Sequence, residues 1–254
     1  MQSVGVIVAG ATGKVGRELV RAVLREPGFS LTGAVSAEGV GRDVGEYIGL
    51  EGGPAGVAIY GSLEDALKAG VTADVIIDFT VAAAARKTIP VAIAAGIAPV
   101  VWTTGLTRDE LNAYAAACVK QGIGGAFIAN YAVGVMLMMR FAEEAKRFFP
   151  NAEIIEMHHQ TKLDAPSGTA LRTRERLERA GGDLPGPQVP IHSVRLPGLV
   201  AHQEIIFGGP GQTLTIRHDA PSREAYGPGV LLTCKWVLKE KRVAFDLEEV
   251  AFPG

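Results

Sequence analysis

Short apolar runs alternate with amphipathic stretches along the first half of the chain. The run at 4–9 is apolar throughout and rich in β-branched residues, which is typical of a strand buried on both faces of a parallel sheet. Similar runs predict strands at 30–35, 57–60, 75–79, 99–102 and 125–128, and helical spacing predicts helices at 17–24, 63–69, 82–95 and 108–121. This alternation predicts a Rossmann-like, doubly wound parallel sheet, with the glycine-rich segment 37–56 as a loop.

The pattern changes in the second half of the chain. A long helix is predicted at 130–149, a strand at 153–157, a loop at 181–187, strands at 192–195, 201–207 and 212–218, and a helix from 223 to 236. Apolar Leu214 and Ile216 alternate with polar neighbours, as in an antiparallel strand with one exposed face. The fold class predicted is α/β, with one domain over 1–130 plus 232–254 and a second, α+β domain containing a mixed sheet over 131–231.

Composition narrows the class of protein. At 254 residues the chain can form two modest domains, and its 32 glycines suit the tight turns of an α/β protein. The net charge of −2 gives no reason to expect nucleic acid or an anionic membrane surface as a partner. No apolar run reaches about 18 residues and the N-terminus lacks a signal-peptide pattern, so we expect no membrane span and a cytoplasmic location. Cys118 and Cys234 lie in apolar surroundings and are expected to be buried free thiols.

A glycine-rich turn follows the first strand and opens the first helix. Its glycines are spaced as Gly-x-x-Gly-x-x-Gly, a close variant of the dinucleotide-binding fingerprint. Gly10 would permit the tight turn, Gly13 would let the backbone approach a pyrophosphate, and Gly16 would let the helix lie against the strand. A P-loop is excluded because residue 8 is not glycine and no Ser or Thr follows the lysine of the turn. The turn therefore predicts a nicotinamide dinucleotide cofactor, NADPH or NADH, contacted by Gly10, Ala11, Thr12, Gly13, Lys14 and Val15.

Polar residues follow three of the predicted strands. Ligands of doubly wound sheets bind beyond the carboxyl ends of the strands, where these groups would meet. Each group alone is an ordinary helix cap, but three at one edge indicate a cofactor cleft. The groups are Asp78-Phe79-Thr80, Thr103-Thr104-Gly105 and Asn130-Tyr131.

Ser36 follows the second strand, where a dehydrogenase that selects NAD often carries Asp or Glu to bond the 2′-hydroxyl. A carboxylate would repel a 2′-phosphate and a serine would not, while Lys14 could attract one. We therefore expect NADPH to be accepted at least as well as NADH.

The segment 158–171 carries most of the candidate chemistry. The imidazoles of His158 and His159 and the ammonium of Lys162 can donate protons near neutral pH once their pKa values are tuned. Taken singly, each has an ordinary explanation, as a histidine at a sheet edge or a solvated lysine. Their joint occurrence favours a proton-donating site.

The same segment contains a predicted helix start at Ser167, Gly168 and Thr169. Backbone N–H groups at a helix N-terminus bind anions, although a simple helix cap would use the same residues. A metal site is not expected, because His-His-x-x-Lys has no zinc spacing and the remaining histidines are scattered. A serine nucleophile is not expected either, because no Gly-x-Ser-x-Gly elbow is present.

Taken together, these motifs resemble those of the 4-hydroxy-tetrahydrodipicolinate reductase (dihydrodipicolinate reductase) family of lysine and diaminopimelate biosynthesis. The resemblance covers nearly the whole chain, and its most specific part is the last of the matching segments. They are 10–16 (GATGKVG), 78–80 (DFT), 103–105 (TTG), 129–134 (ANYAVG) and 156–170 (EMHHQTKLDAPSGTA).

The resemblance implies an NAD(P)H-dependent oxidoreductase that reduces 4-hydroxy-tetrahydrodipicolinate, via dihydrodipicolinate, to tetrahydrodipicolinate. It implies that His158 is a proton donor or acceptor and that Lys162 is a proton donor. It also implies a homotetramer, with the second domain binding the dicarboxylate substrate and forming the oligomer through its sheet. Contacts to the substrate carboxylates are implied for His159, Ser167, Gly168 and Thr169, and further cofactor contacts for Trp102, Ala129, Asn130, Tyr131 and Ala132.

The chain departs from the family pattern at three places. Trp102 stands where many members have glycine, and its indole would either narrow the nicotinamide end or fill space. Ser36 stands where some members carry an acidic residue, and residues 160–161 are Gln-Thr where many members have Arg-His.

Two other functions are consistent with the fold. A non-catalytic nucleotide-binding sensor would be expected to lose the proton-donating and anion-binding groups, and this chain keeps them. A related two-domain reductase acting on aspartate-derived or sugar substrates would share the glycine turn but would not need His158, His159 and Lys162.

Overall fold

The computed structural model describes residues 3–181 and 188–253, so the loop predicted at 181–187 lies, apart from its first residue, outside the described residues. The chain divides into two compact units. The first comprises Met1–Tyr131 and Tyr226–Gly254, and the second comprises Ala132–Ala225. A boundary between residues 231 and 232 would cut through a helix that belongs as a whole to the first unit.

The strands agree with the predicted positions, with ends that differ by a few residues, except for the short strand at Val243–Ala244, which was not predicted. In chain order they are β1 (Val4–Ala9), β2 (Phe29–Val35), β3 (Ile59–Tyr60), β4 (Val75–Asp78), β5 (Ala98–Val101), β6 (Gly125–Phe127), β7 (Asn151–His158), β8 (Ile191–Arg195), β9 (Ala201–Gly209), β10 (Gln212–Ala220) and β11 (Val243–Ala244).

The helices are α1 (Gly16–Arg25), α2 (Val44–Ile48), α3 (Leu63–Lys68), α4 (Ala82–Ala94), α5 (Arg108–Gln121), α6 (Val133–Lys146), α7 (Gly168–Ala180), α8 (Gly227–Lys239) and α9 (Leu247–Ala251), with a 3-10 turn at Arg223–Tyr226 before α8. The helix predicted at 223–236 is therefore a 3-10 turn followed by α8. None of the described helices is long and apolar enough to cross a membrane.

The first unit contains a parallel sheet of seven strands in the order β11-β6-β5-β4-β1-β2-β3. Its central strands are buried because they are covered on both faces, which is why they are continuously apolar. The strand order reverses between β1 and β4, and in doubly wound sheets this switch point is where a ligand binds. The predicted Rossmann-like sheet is confirmed.

The segment predicted as a loop at 37–56 contains a short helix, so that prediction was incomplete. Asp43 caps α2, and its carboxylate accepts hydrogen bonds from the backbone N–H groups of Gly45, Glu46, Ala55 and Val57. Burial alone would raise the pKa of this carboxyl, but the four backbone hydrogen bonds lower it below its usual value. The ionised Asp43 carboxylate therefore ties the start of α2 to the residues at 55–57.

The second unit contains the predicted mixed sheet, and its four strands lie in the order β10-β9-β7-β8. β7 is parallel to β8 and antiparallel to β9, and β9 is antiparallel to β10. Alternate residues of β7 and β9 are buried, among them Ile154, Ile205 and Phe207. This face is covered by α6 and α7, which contact β9, β10, β7 and β8.

Candidate active site

The glycine turn of the first unit has the backbone geometry that its spacing predicts. Gly10 has φ of +80°, a conformation that L side chains rarely adopt, and an added Cβ would lie 2.9 Å from the carbonyl oxygen of Phe79. A Cβ at Gly16 would lie only 1.9 Å from the carbonyl oxygen of Gly10. The start of α1 therefore sits directly on the turn, and only glycine at residue 16 permits this approach.

The N-terminus of α1 has no side-chain cap, since its N-cap residue is Val15. The first N–H groups of a helix lack partners within the helix and attract anions. The turn also ends next to Lys14, whose side chain is exposed. These features fit the pyrophosphate of a dinucleotide.

Ser36 lies beside the glycine turn at the end of β2. Its hydroxyl is 2.6 Å from that of Thr12, and it accepts a hydrogen bond of 3.2 Å from the N–H of Glu38. The Glu38 carboxylate in turn accepts from the hydroxyl of Tyr47 at 3.1 Å, and the guanidinium of Arg42 lies 5.0 Å from the centre of the Tyr47 ring. The structure therefore brings Thr12 and Ser36 together, with the carboxylate of Glu38 and the guanidinium of Arg42 in the same region.

Asp78 links the carboxyl ends of β4 and β5. Its Oδ1 accepts hydrogen bonds from the hydroxyl and N–H of Thr80 at 2.6 and 3.0 Å and from the hydroxyl of Thr103 at 2.8 Å. The residue is completely buried, and this burial raises the pKa of its carboxyl despite those hydrogen bonds. Its Oδ2 is buried and has no hydrogen-bond partner within the described part of the chain. The side chain therefore holds two of the predicted cofactor residues in place.

Aromatic rings cluster at the same edge of the sheet. The centre of the Phe79 ring lies 4.8 Å from that of Trp102 and 5.7 Å from that of Tyr131, and the ring centres of Trp102 and Tyr226 are 4.7 Å apart. The indole N–H of Trp102 donates to the carbonyl oxygen of Ala129. The Tyr131 side chain is fully buried and donates to the Val101 carbonyl oxygen at 3.1 Å, which fixes the ring that contacts Phe79.

A cavity of about 230 Å³ opens beside this aromatic cluster, between the ends of β5 and β6. Its wall includes Trp102, Thr103, Thr104 and Ala129. This volume can hold a ring-sized group, whereas pockets for whole ligands of drug size are about 300–1,000 Å³. The remaining predicted residues in this region, Asn130 and Ala132, lie after β6, where Ala132 is the N-cap residue of α6.

The second unit orders His158 through a buried carboxylate. Glu156 and His158 are two residues apart on β7, so their side chains point to the same face of the strand. His158 Nδ1 lies 2.5 Å from Oε2 of Glu156, which is completely buried. Since a carboxylate accepts hydrogen bonds, Nδ1 carries the proton and Nε2 is the nitrogen left for other chemistry.

Arg195 pairs with Glu156 from the neighbouring strand. Its Nη1 and Nη2 donate to Oε2 and Oε1 of Glu156, both at 2.8 Å, which is the bidentate geometry of a strong charge-assisted pair. Residues 158 and 195 are partners in the register of β7 and β8, which explains how the guanidinium reaches the carboxylate. Arg195 Nη2 also donates to the carbonyl oxygen of Asp164 at 2.8 Å.

Lys162 and His159 have local partners. Lys162 Nζ donates to Oδ1 of Asp164 at 2.8 Å, and His159 Nδ1 lies 2.8 Å from the hydroxyl of Thr161. The lysine side chain remains 22 % exposed, and therefore a ligand can still reach it.

Ser167 is the N-cap residue of α7. Its hydroxyl accepts from the N–H of Ala170 at 3.2 Å, and its own N–H donates to Oε1 of Glu156 at 3.2 Å. We predicted that the N–H of Ser167 would be open to an anion, but the structure uses it to hold Glu156. Gly168 and Thr169 form the first turn of α7, with Gly168 exposed.

The pKa shifts follow from burial and this hydrogen bonding. Burial lowers the pKa of His158, and the opposing effect of the Glu156 carboxylate does not fully offset it. Burial would raise the pKa of Glu156, but hydrogen bonds from Arg195 and His158 outweigh it and the net shift is downward. His158 therefore switches protonation state below its ordinary range beside a carboxylate that stays ionised.

Comparison with known proteins adds the family. A family model described as "Dihydrodipicolinate reductase, N-terminus" matches residues 4–131, and one described as "Dihydrodipicolinate reductase, C-terminus" matches residues 134–251. The chain belongs to the dihydrodipicolinate reductase family. The family expected from the sequence motifs is thus confirmed.

Individual relatives are similar over their full lengths. The chain is 69 % identical over 253 residues to the 4-hydroxy-tetrahydrodipicolinate reductase of Symbiobacterium thermophilum, covering 100 % of this chain and 99 % of that one. It is 45 % identical over 268 residues to the enzyme of the same name from Desulfitobacterium hafniense, covering 98 % of each. Among solved structures, it is similar to the dipicolinate-bound dihydrodipicolinate reductase from Paenisporosarcina sp. TG-14, with a TM-score of 0.83, 32 % identity and coverage of 98 % and 99 %.

Sequence reasoning missed three residues of the two local sites. Tyr226 makes a tilted ring contact with Trp102, while Glu156 and Arg195 order His158. Glu156 carried a usable signal, because an acidic residue at a buried position of an alternating strand needs a partner. Arg195 and Tyr226 gave no such signal in the sequence. The position of Arg195 depends on the register of β7 and β8, and that of Tyr226 depends on the return of the chain to the first unit.

Proposed function

We propose that the protein is a 4-hydroxy-tetrahydrodipicolinate reductase. It reduces 4-hydroxy-tetrahydrodipicolinate, via dihydrodipicolinate, to tetrahydrodipicolinate in lysine and diaminopimelate biosynthesis. The observation that carries this proposal is the ordered arrangement of His158, Lys162 and the α7 N-terminus in a member of this family. The dipicolinate bound to the Paenisporosarcina relative supports a small cyclic dicarboxylate as the ligand.

NADPH and NADH are the cofactors in this proposal. The turn at Gly10 and the uncapped start of α1 would hold the pyrophosphate, Ser36 and Thr12 would face the ribose, and the cavity beside Trp102 would take the nicotinamide. When bound, the reduced nicotinamide supplies the hydride. The other proposed contacts come from Ala11, Gly13, Lys14, Val15, Asp78, Phe79, Thr80, Thr103, Thr104, Ala129, Asn130, Tyr131 and Ala132.

His158 is the proposed proton donor. Loss of the 4-hydroxyl group as water first gives the conjugated ring of dihydrodipicolinate. Hydride then adds at C4, which leaves an electron-rich enamine that must gain a proton. Glu156 holds the imidazole by Nδ1, so Nε2–H of the imidazolium is the group that can give this proton. Lys162 is the second donor and also a counter-ion for a carboxylate of the substrate.

The substrate carboxylates are assigned to groups near the start of α7. His159 supplies an imidazole, and the N-terminal turn of the helix at Gly168 and Thr169 supplies backbone N–H groups and a positive dipole end. The N–H of Ser167 is committed to Glu156, so its contribution is to cap the helix and present that turn.

We also propose a homotetramer and a cytoplasmic location. On the face of the second unit's sheet opposite α6 and α7, Ile155 and Ile206 are only half-buried in the single chain. Contact between copies of this face would bury them. Two buried free thiols are compatible with a reducing compartment.

The decisive experiment is a coupled assay of the purified protein. Freshly made product of dihydrodipicolinate synthase is added, and the loss of NADPH or NADH absorbance is followed. We expect turnover with the unchanged protein and a kcat lower by about 10²- to 10⁴-fold for His158→Gln, the usual contribution of a positioned general acid. His192→Gln is the matched control, since His192 also bonds a glutamate on the same sheet but is exposed. No turnover with either cofactor, or an unchanged kcat for His158→Gln, contradicts the proposal.

A further inference from the structure

We infer that the ion pair between buried Glu156 and half-buried Arg195 is a single anchor that positions both proposed proton donors, His158 and Lys162, and the start of α7. The inference rests on the proposed function, because it assigns roles to groups that act through those donors. Neither member of the pair is assigned to touch the substrate, and both are positioning residues.

The anchor reaches His158 directly. Oε2 of Glu156 takes the Nδ1 proton of His158 at 2.5 Å, and its Oε1 takes the N–H of Ser167 at 3.2 Å. Because Ser167 is the N-cap residue of α7, the same carboxylate fixes the imidazole and the first turn of the helix. An unpaired buried carboxylate would be costly, and the two hydrogen bonds from Arg195 remove that cost.

The anchor reaches Lys162 through Arg195. Arg195 Nη2 donates to the carbonyl oxygen of Asp164, and the carboxylate of the same Asp164 accepts from Lys162 Nζ, both at 2.8 Å. A continuous chain of contacts therefore runs from His158 through Glu156, Arg195 and Asp164 to Lys162. One ion pair, Glu156–Arg195, therefore fixes the positions of both proposed donors through hydrogen bonds.

The charged groups in this series of contacts shift the pKa of His158. The Glu156 carboxylate favours the imidazolium, whereas burial and the cations Lys162 and Arg195 oppose it. Removing the Glu156 charge leaves only the opposing influences, so the pKa of His158 must fall. Since a general acid works while protonated, the pH at which kcat declines must move to lower values.

The first measurement uses the unchanged protein. In ¹⁵N-histidine NMR spectra, with His158 assigned by its absence from His158→Gln, we expect the neutral ring to carry its proton on Nδ1. A neutral ring protonated on Nε2 overturns the inference, whatever the enzyme's activity. This measurement does not depend on any substitution at Glu156 or Arg195 or on the substrate.

The second measurement compares Glu156→Gln with Glu153→Gln. Glu153 lies on the same strand and also bonds a histidine, His192, at 2.7 Å, but both are exposed. For Glu156→Gln we expect kcat to fall by about 10- to 100-fold and the alkaline limb of the kcat profile to move about one pH unit toward acid. Glu153→Gln should keep both values, and Arg195→Lys should lower kcat with a smaller shift.

Each outcome has a defined meaning. A Glu156→Gln enzyme that keeps its kcat and its pH profile overturns the inference while the proposed function stands. A loss of kcat with no shift of the alkaline limb shows a merely structural role and also overturns it. If Glu156→Gln does not unfold cooperatively, its kinetics reflect misfolding and are set aside. The inference is then tested by the tautomer of His158 in the unchanged protein and by the kcat and pH profile of Arg195→Lys. If the unchanged protein shows no turnover, the proposed function fails, and the tautomer measurement still tests the anchor.

Discussion

Gly16→Ala is the sharpest test of the glycine turn. The added Cβ would lie 1.9 Å from the carbonyl oxygen of Gly10 and 3.1 Å from the Cα of Ala11. Because carbon contacts begin near about 3.5 Å, α1 and the turn must separate by roughly 1.5 Å. The atoms in conflict are backbone atoms, so no side chain can rotate to relieve the overlap.

The cost can be set against the gain in helix propensity. Overpacking of this kind costs about 1–3 kcal/mol, while replacing glycine by alanine within a helix gains at most about 1 kcal/mol. Because the overlap is with backbone atoms, we expect the upper end of this cost and a net loss of about 2 kcal/mol. At about 2–4 °C per kcal/mol, the first unit should then melt about 4–8 °C lower. A displacement of about 1 Å can also cost about 10²-fold in function, so we expect the KM for NADPH to rise at least tenfold.

The assay pairs thermal unfolding by circular dichroism with NADPH kinetics. Gly52→Ala is the matched control, because a Cβ there meets nothing within 4 Å and its φ is not positive. Gly52→Ala should keep the melting temperature and the KM. The reasoning is refuted if Gly16→Ala melts with the control and binds NADPH equally well.

Three further predictions concern other parts of the chain. The kcat/KM for NADPH should equal or exceed that for NADH, and Ser36→Asp should lower the NADPH value selectively; a strong NADH preference of the unchanged enzyme would contradict this. Arg86 lowers the pKa of Glu110 from 4.5 to about 2, so the folded state resists its protonation. The Glu110–Arg86 pair therefore stabilises the folded state fully above pH 4.5, and this stabilisation is lost as the pH falls through 2. In urea unfolding, the free energy of unfolding of Glu110→Gln should lack this loss at acid pH. Burial raises the pKa of Cys118 to about 11 and that of Cys234 further, so both should react with Ellman's reagent at pH 8 only after unfolding.

Much of the fold follows from the apolar pattern alone. The strands of the parallel sheet are buried on both faces, so each is a distinct apolar run between glycines and polar residues. The short helix α2 could not be predicted in this way, because its five residues are held by the Asp43 carboxylate and not by an apolar face of helical length. The second unit was predicted to end at residue 231, but it ends at Ala225. The 3-10 turn and α8 form one continuous helical pattern in the sequence, so the pattern did not mark the boundary.

The candidate site was predictable where its residues are close in sequence. His158, Lys162 and the helix start at Ser167 fall within one segment, and the resemblance gave them roles. The contribution of Arg195 depends on the pairing of β7 with β8, which are joined by more than 30 residues. Hydrogen bonds across such a distance are a property of the register, and no local pattern records them.

The sheet order also dictates when each unit can be completed during synthesis. The second unit is one uninterrupted stretch, whereas the first unit needs α8 and β11, which come from the last residues of the chain. β6 is synthesised before β11, so one edge of β6 stays unpaired while all of the second unit is made. We therefore expect the unit that would contribute the proposed acid to mature before the unit that would hold the nucleotide. Released chains truncated after residue 239 should expose that edge to chaperones.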